Sequence, residues 1–477
     1  MKKYFWLLLF LFFSSRFFFL ANYPYFFDSP EYLRLSLNQS FFQSLSLSHE
    51  SVHPIFLFLT QLSQKIIPGN QAWSLSLVSA SAGLVSFVAF YLLVKRIFNQ
   101  KTALLSLIPL IFFPHLWLIQ TNILHESLDQ ALFLTALLFF DFFLMKKNWF
   151  WIFSVFFLSL AITNFVGIII WLPVFFGLVF LRSKKDKLKE NLVKAFLVCL
   201  SSFVLAILFL FSLFSFTSID PILRLKELFF DYGGGGLLSN WGFFDILRTL
   251  RNDFSILVNG YRSVSLLIIL VSFFTMIKKR QWNFLIFFLS FLIPFLVTGK
   301  FWHGGLFARY SSLIAYSLAL FLAFSFSRRV FWLLAFFLIL FSLPTFHAYQ
   351  KPPVFEVQKK IISEVNIEND SLFVFSEYQR PWAENNYPNA LFVNGDDQDL
   401  KILEEKIEIA IEDKKLVFIS QQAINFPYWQ YDGQQIHIIS KGDIQKAKLK
   451  SFLENKNLVL IAEDKNYPLL NIFQITN

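Results

Sequence analysis

Asp28-Ser29-Pro30-Glu31-Tyr32, followed by His53-Pro54, puts two carboxylates and an imidazole into the first loop after an apolar segment. Ionisable groups held against a bilayer are costly, and they mark places where a membrane protein does chemistry. Asp28 and Glu31 are three residues apart, so on one helical turn they share a face. Pro30 between them favours a turn or a helix start. One carboxylate can act as general base on an acceptor hydroxyl while the other orients it or holds a metal. A helix cap beside a solvated acid is the plainer alternative. His53 can serve as a base, as a phosphate contact or as a histidine satisfied within its loop.

The elements that must position these residues are membrane helices. The chain of 477 residues is 56% hydrophobic, contains 67 Phe and has a mean hydropathy of +0.55. A soluble core cannot absorb that much apolar surface, so a polytopic helical membrane protein follows. Residues 1–350 carry 28 Lys and Arg against 13 Asp and Glu, or +15, while residues 351–477 carry 14 against 19, or −5. The basic excess therefore sits in the membrane part, where it reads as topology signal and lipid contact rather than nucleic-acid binding. The one cysteine, Cys199, lies in an apolar run and permits no intrachain disulfide.

A spanning helix needs about 20 mostly apolar residues. Lys2-Lys3 precede the run Tyr4–Leu20, and no small-residue cleavage site follows it, so it is expected to remain as a first helix. Further spans are expected over 73–94, 102–120, 129–145, 148–163, 164–181, 192–216, 262–277, 282–298, 309–327 and 330–347, about eleven in all. With Lys2-Lys3 in the cytoplasm, Lys95-Arg96-Lys101, Lys146-Lys147, Arg182 to Lys189, Lys278-Lys279-Arg280 and Arg328-Arg329 all fall on that same side. The stretches 21–72, 121–128, 217–261 and 299–308, and everything after 347, then face outward. Pro54–Ile67 is apolar but short, and spanning it would invert every later basic cluster. It is expected to lie at the interface or to re-enter.

The composition changes beyond Lys351, where Pro352-Pro353 interrupts the chain. Leu372–Phe375, Leu416–Ser420, Ile436–Ser440 and Leu458–Ile461 read as strands, and Phe355–Val365, Leu400–Glu412 and Ile444–Leu453 as amphipathic helices. The expected fold class is an all-α polytopic membrane domain over 1–350 with a small extracytoplasmic α/β domain over 351–477. The α/β segment shows no P-loop, no dinucleotide-type glycine turn and no metal-ligand spacing.

The remaining unusual polar residues gather on the outward side. His49 and Glu50 lie in the first loop, and His125, Glu126 and Asp129 in the second. The long loop 217–261 holds Asp231 and the run Gly233–Gly236, which reads as a flexible loop. Lys300, His303, Arg309 and Tyr310 flank a late turn. Glu126 is the better functional candidate of the second loop, because Asp129 near a helix start is accounted for by the helix dipole, about 0.3–1 kcal/mol. A guanidinium at Arg309 suits a lipid phosphate in bidentate fashion, with an interfacial snorkelling arginine as the alternative. Asp141, near the cytoplasmic end of its span, is expected to pair with Lys146 or Lys147.

Taken together, Asp28-Ser29-Pro30-Glu31, then Val52-His53-Pro54, then Pro68-Gly69-Asn70-Gln71-Ala72-Trp73-Ser74-Leu75-Ser76-Leu77 resemble the opening of GT-C superfamily membrane glycosyltransferases. The likeness is to the branch related to protein O-mannosyltransferases. Pro30 stands where that branch has glycine, and Ile55-Phe56 where it has Pro-Gly. The likeness is best over residues 1–180, and Arg309-Tyr310 is similar to an Arg-Tyr pair common in such enzymes. The resemblance implies Asp28 as catalytic acid/base, Glu31 as its companion and Glu126 as the second-loop acid. His53, His125, His303, Arg309 and Tyr310 would bind substrate. It implies an inverting transfer from a polyprenyl-phosphate-linked sugar donor to a hydroxyl acceptor on a protein, glycan or lipid. The transfer would occur at the outer face of a multi-pass plasma-membrane protein. The carboxylates serve equally as bases and as ligands for a divalent cation; no other cofactor is implied. Two rival readings stay open. A transporter or lipid flippase would place its polar groups near the bilayer midplane, and a membrane scaffold would leave the outer acids and histidines without a task.

Overall fold

The computed structural model describes residues 2–21, 28–38, 40–47, 53–67, 71–145, 148–228, 273–301 and 312–325. In the C-terminal part it describes 371–376, 389–393, 397–424, 427–431, 436–440, 455–463 and 471–476, with a few short pieces between. The chain forms two compact units. One includes Met1–Asn22 and Leu35–Ala348; the other includes Tyr23–Arg34, Tyr349–Tyr431 and Ile436–Asn477.

The first unit is helical. Helix α1 is Lys2–Phe17, α2 Asp28–Asn38 (its residues up to Arg34 count with the other unit), α3 Phe41–Leu47, α4 Pro54–Ile66 and α5 Gln71–Ile97. Next come α6 Gln100–Phe112, α7 Pro114–Thr121, α8 Glu126–Leu144, α9 Phe150–Asn164, α10 Pro173–Arg182 and α11 Leu188–Ser215. Helices α12 Pro221–Lys226, α13 Trp282–Phe301 and α14 Ile314–Ser325 follow. Among the described residues, Gln71–Ile97, Glu126–Leu144 and Lys185–Ser215 are long and apolar enough to cross a membrane, and α6 with α7 makes a fourth candidate. The protein is a multi-pass membrane protein. The expected spans over 262–277 and 330–347 fall largely outside the described residues.

Two expected single spans are broken, each at a proline. The run 102–120 divides into α6 and α7 with a bend of 72°. Pro114 has no N–H, so the Leu110 carbonyl loses its helical donor. Arg16, fully buried on α1, takes over that end of α6. Its guanidinium donates to the Leu110 carbonyl at 3.1 Å and the Ile111 carbonyl at 2.8 Å. Its Nε donates to Gln120 Oε1 on α7 at 3.0 Å. A cation at a helix C-terminus is favoured by the dipole. Gly83 on α5 leaves room for Gln120, since a Cβ there would stand 2.8 Å from Gln120 Cγ. Arg16→Met is expected to cost about 2–4 kcal/mol, because buried acceptors lose their donor; the midpoint of detergent-phase unfolding reads it. The second break divides 164–181 into a 3₁₀ turn, Val166–Trp171, and α10, which opens on Pro173.

Helices α5 and α8 form the centre of the unit. At one end Asp141 of α8 accepts from Arg96 of α5 at 2.7 Å and from Arg182 of α10 at 2.6 Å. The Arg96 guanidinium also lies 3.7 Å from the centre of the Phe142 ring. Lys146 and Lys147, the partners expected from the sequence, lie outside the described residues. Arg96 and Arg182 close on Asp141 because the packing of α5 and α10 on α8 sets their approach, which sequence proximity does not reveal. Asp129, twelve residues earlier on α8, lies about 18 Å away along the axis at 1.5 Å per residue. The two polar clusters thus mark opposite ends of the bundle. Helix α4, thirteen residues long, is too short to span. It buries Phe56, Leu57, Thr60 and Gln61 and exposes Phe58, Leu62 and Ile66.

The second unit contains a mixed five-stranded sheet. Its strands are β1 Leu372–Ser376, β2 Leu391–Val393, β3 Val417–Ser420, β6 Asn457–Ala462 and β7 Ile472–Thr476, in the order β2-β1-β3-β7-β6. Strands β1, β2 and β3 are parallel, and β7 pairs antiparallel with β3 and β6. Strands β4 Pro427–Tyr431 and β5 Ile436–Ser440 form a separate antiparallel pair. Alternation along β1 sends Val374 to a core with Leu403 and Ile407 of helix α15, Asp397–Glu412, and sends Phe373 and Phe375 to the other face with Phe418 and Ile472. All four strands expected from the sequence are present. Strand β2 is too short, and β7 too polar at Gln474 and Thr476, to register by pattern. The expected helices Phe355–Val365 and Ile444–Leu453 lie mostly outside the described residues.

Candidate active site

Three chain segments, 53–56, 125–129 and 164–165, meet at the end of α8 opposite Asp141. His53 precedes α4, and Pro54 takes the first helical position, where a missing N–H costs nothing. His53 Nδ1 lies 2.8 Å from the backbone carbonyl of Asn164, the last residue of α9. The Phe56 N–H, one of the amides left open at the start of α4, donates to Asn164 Oδ1 at 2.8 Å. Asn164 Nδ2 donates to Asp129 Oδ1 at 2.7 Å. Asp129 Oδ2 lies 2.7 Å from His125 Nδ1, and His125 Nε2 lies 3.5 Å from Glu126 Oε1. The His53 and His125 rings stack with centroids 3.5 Å apart and planes 16° apart. Phe165 flanks both rings.

Burial gives these contacts their strength. His125 and Asn164 are 0% exposed, Glu126 and Asp129 3%, and His53 5%. Screening by water is weak there, so a proton gained or lost by one group is felt by the next. The two stacked rings are close enough that a charge on either acts strongly on the other. The carboxylate–imidazole–carboxylate line from Asp129 through His125 to Glu126 can hold and pass one proton. It can also present a cationic ring to an incoming anion. Among the described residues, no group of three or more His, Cys, Asp or Glu side chains is arranged to hold a metal ion.

The expected site residues fare differently. His53, His125 and Glu126 come together in this one cluster. Asp28 opens α2, as Pro30 foretold, with Ser29 and Pro30 in its first turn. Glu31 receives both Nε and a terminal nitrogen of Arg34, one turn on, with Nε at 2.7 Å. Asp28 and Glu31 belong to the segment Tyr23–Arg34, which groups with the C-terminal unit. His303, Arg309 and Tyr310 lie outside the described residues, as do His49, Glu50, Asp231 and Gly233–Gly236.

Residues 51–211 match the family model for dolichyl-phosphate-mannose-protein mannosyltransferases, and that stretch carries every member of the cluster. ArnT from Cupriavidus metallidurans, crystallised with undecaprenyl phosphate, has a similar structure. The TM-score is 0.59 at 10% identity, over 99% of this chain and 97% of that one. Residues 51–211 thus match a mannosyltransferase family model, and the chain as a whole has the fold of the GT-C membrane glycosyltransferases. The GT-C likeness extends to the oligosaccharyltransferase AglB from Archaeoglobus fulgidus, solved with an inhibitory peptide and a dolichol-phosphate. There the TM-score is 0.54 at 11% identity, over 98% of this chain and 80% of that one. The apo form of the oligosaccharyltransferase from that organism gives 0.56 at 13% identity. At such identities these neighbours speak for the fold alone. No curated protein matches the chain by sequence.

Within the GT-C frame, the residues that sequence reasoning passed over are Asn164 and, as a hub, Asp129. Asn164 closes the apolar run Leu158–Ile162 at a helix end, and a lone amide in that position was the available signal. A second buried polar line was equally silent. Tyr316 of α14 donates to Gln130 Oε1 at 3.1 Å, and Gln130 Nε2 donates to Ser312 at 2.6 Å. Gln130 follows Asp129 directly, so this line fixes the same turn of α8 from its other side.

Proposed function

We propose that this protein transfers a sugar from a polyprenyl-phosphate-linked donor to a hydroxyl acceptor, with inversion, at the outer face of the plasma membrane. One observation carries the reading: the buried cluster of His53, His125, Glu126, Asp129 and Asn164 at the end of α8 away from Arg96, Asp141 and Arg182. The positive-inside rule assigns Arg96 and Arg182 to the cytoplasm, which puts the cluster outside. About eleven spans, an N-terminus inside and the C-terminal unit outside complete this topology. ArnT and AglB were each solved with a polyprenyl or dolichyl phosphate, and that is the donor class proposed here.

In the reaction the acceptor oxygen attacks the anomeric carbon as the bond from that carbon to the phosphate oxygen breaks. The acceptor proton passes to a carboxylate, for which Asp28 is proposed, with Glu31 as its companion. The leaving lipid phosphate gains negative charge. A cationic imidazole of the His53–His125 pair, with His303, Arg309 and Tyr310 as further proposed contacts, stabilises that charge where water is excluded. Glu126 sets the charge state of His125.

The test uses purified protein in lipid with radiolabelled polyprenyl-phosphate sugars and a membrane extract as acceptor pool. Wild type is expected to transfer label, and Asp28→Asn to transfer roughly 10²- to 10⁴-fold more slowly, the usual contribution of general acid–base catalysis. Equal transfer by both keeps the enzyme class and removes Asp28 from the chemistry. Label moved across the membrane without product would favour a transporter. A chelator in the same assay reports whether the carboxylates hold a divalent cation.

A further inference from the structure

We infer that Asn164 is a positioning residue that fixes the tautomer of His125 by dictating which way Asp129 must face. The inference deepens the proposed function, because it concerns the ring that would meet the leaving phosphate. The Phe56 N–H can only donate, so the atom of Asn164 facing it at 2.8 Å is the amide oxygen. The Asn164 amide therefore turns its NH₂ to Asp129 Oδ1 at 2.7 Å, as a donor. Asp129 Oδ2 remains to accept from His125 Nδ1 at 2.7 Å, which places the ring hydrogen on Nδ1. Nε2 of a neutral His125 is then the lone-pair nitrogen, and it is the nitrogen 3.5 Å from Glu126. His53 reaches the same tautomer by another path, since its Nδ1 meets a backbone carbonyl, which can only accept. Asn164 thus sets both rings, one through its side chain and one through its backbone. The stacked pair offers two Nε2 atoms prepared to take a proton.

The arrangement predicts an exchange. In Asp129→Asn the new amide must keep its oxygen toward the Asn164 NH₂, so its own NH₂ faces His125 Nδ1. The ring is then forced to carry its hydrogen on Nε2. Adding Asn164→Asp reverses this. The carboxylate then standing at position 164 presents oxygens both to the Phe56 N–H and to residue 129. The amide of residue 129 turns its NH₂ toward that carboxylate, and its oxygen returns to His125. The backbone carbonyl of residue 164 is the same in every variant, so His53 serves as an internal reference.

The experiment is nitrogen NMR of the full chain in lipid with ¹⁵N-labelled histidine, the two rings assigned from His53→Gln and His125→Gln. Wild type is expected to show hydrogen on Nδ1 of both rings. Asp129→Asn should move the His125 hydrogen to Nε2 and leave His53 unchanged, and the double variant should restore the wild-type pattern. Sugar transfer should fall roughly 10²- to 10⁴-fold in Asp129→Asn, as expected when a catalytic imidazole is held in the wrong tautomer, and recover at least tenfold in the double variant. A His125 with no hydrogen on Nδ1 in wild type, or no restoration in the double variant, overturns the inference. Should Asp129→Asn fail to fold, the double variant must still fold and match wild type, or the inference fails. If the NMR exchange occurs while no variant alters transfer, the positioning stands and the functional reading falls.

Discussion

Glu126→Gln is expected to slow sugar transfer by roughly 10²- to 10⁴-fold, the range for a lost acid–base or charge-setting group. The substitution keeps size and shape, so the packing of the first turn of α8 survives. What disappears is the negative charge facing His125 Nε2 at 3.5 Å. In a site where Glu126 is only 3% exposed, no water layer replaces that charge. The His125 ring then has less reason to be cationic when the lipid phosphate departs. The loss should appear in kcat, with little change in KM, because the charge it answers to develops only in the transition state. Thermal unfolding of Glu126→Gln should match wild type. Unchanged transfer together with unchanged unfolding would remove Glu126 from the reaction and leave it a helix-start acid, stabilised by the dipole.

Asp141→Leu is expected to destabilise the membrane unit by about 2–4 kcal/mol. Removing one member of a buried ion pair costs about 3–5 kcal/mol, and the figure is lowered here because Arg96 and Arg182 are partly exposed, at 29% and 17% of their side chains. Asp141 itself is 0% exposed and serves both guanidiniums, so its loss leaves two like charges side by side across α5, α8 and α10. Unfolding in detergent, followed by denaturant midpoint, measures the cost. The triple variant Arg96→Met, Asp141→Leu, Arg182→Met should regain most of the stability, since replacing a whole buried ionic group by apolar side chains is often neutral or better. Wild-type stability in Asp141→Leu alone would show that the three side chains contribute nothing as a cluster.

These two residues show where the sequence stopped being informative. The apolar runs established that the chain is a helical membrane protein, and the hydropathy pattern located α5, α8, α9 and α11 to within a few residues, because burial in lipid requires long uninterrupted apolar stretches. Prolines were present in the sequence at 114 and 173, yet whether each breaks or merely bends a helix depends on what donates to the freed carbonyls. Arg16, from a helix nearly a hundred residues earlier, is the group that settles it for Leu110. Strands β1, β3, β5 and β6 were visible as apolar β-branched and aromatic runs; β2 and β7 needed their neighbours in the sheet.

The sequence also singled out His53, His125 and Glu126, which the fold brings to one set of helix ends. Composition and charge can do this because ionisable groups are excluded from lipid and so collect at its edges. Only the tertiary structure decided that His53 stacks on His125, that Asp129 is bound to both His125 and Asn164, and that Asp141 answers Arg96 and Arg182. Each of these contacts joins residues far apart in the chain or on different helices, apart from the one-turn step from His125 to Asp129. The partners are selected by how the helices converge, which no local periodicity encodes. A buried polar side chain takes whichever partner the packing brings within hydrogen-bond distance, since leaving it unsatisfied costs more than any local preference gains.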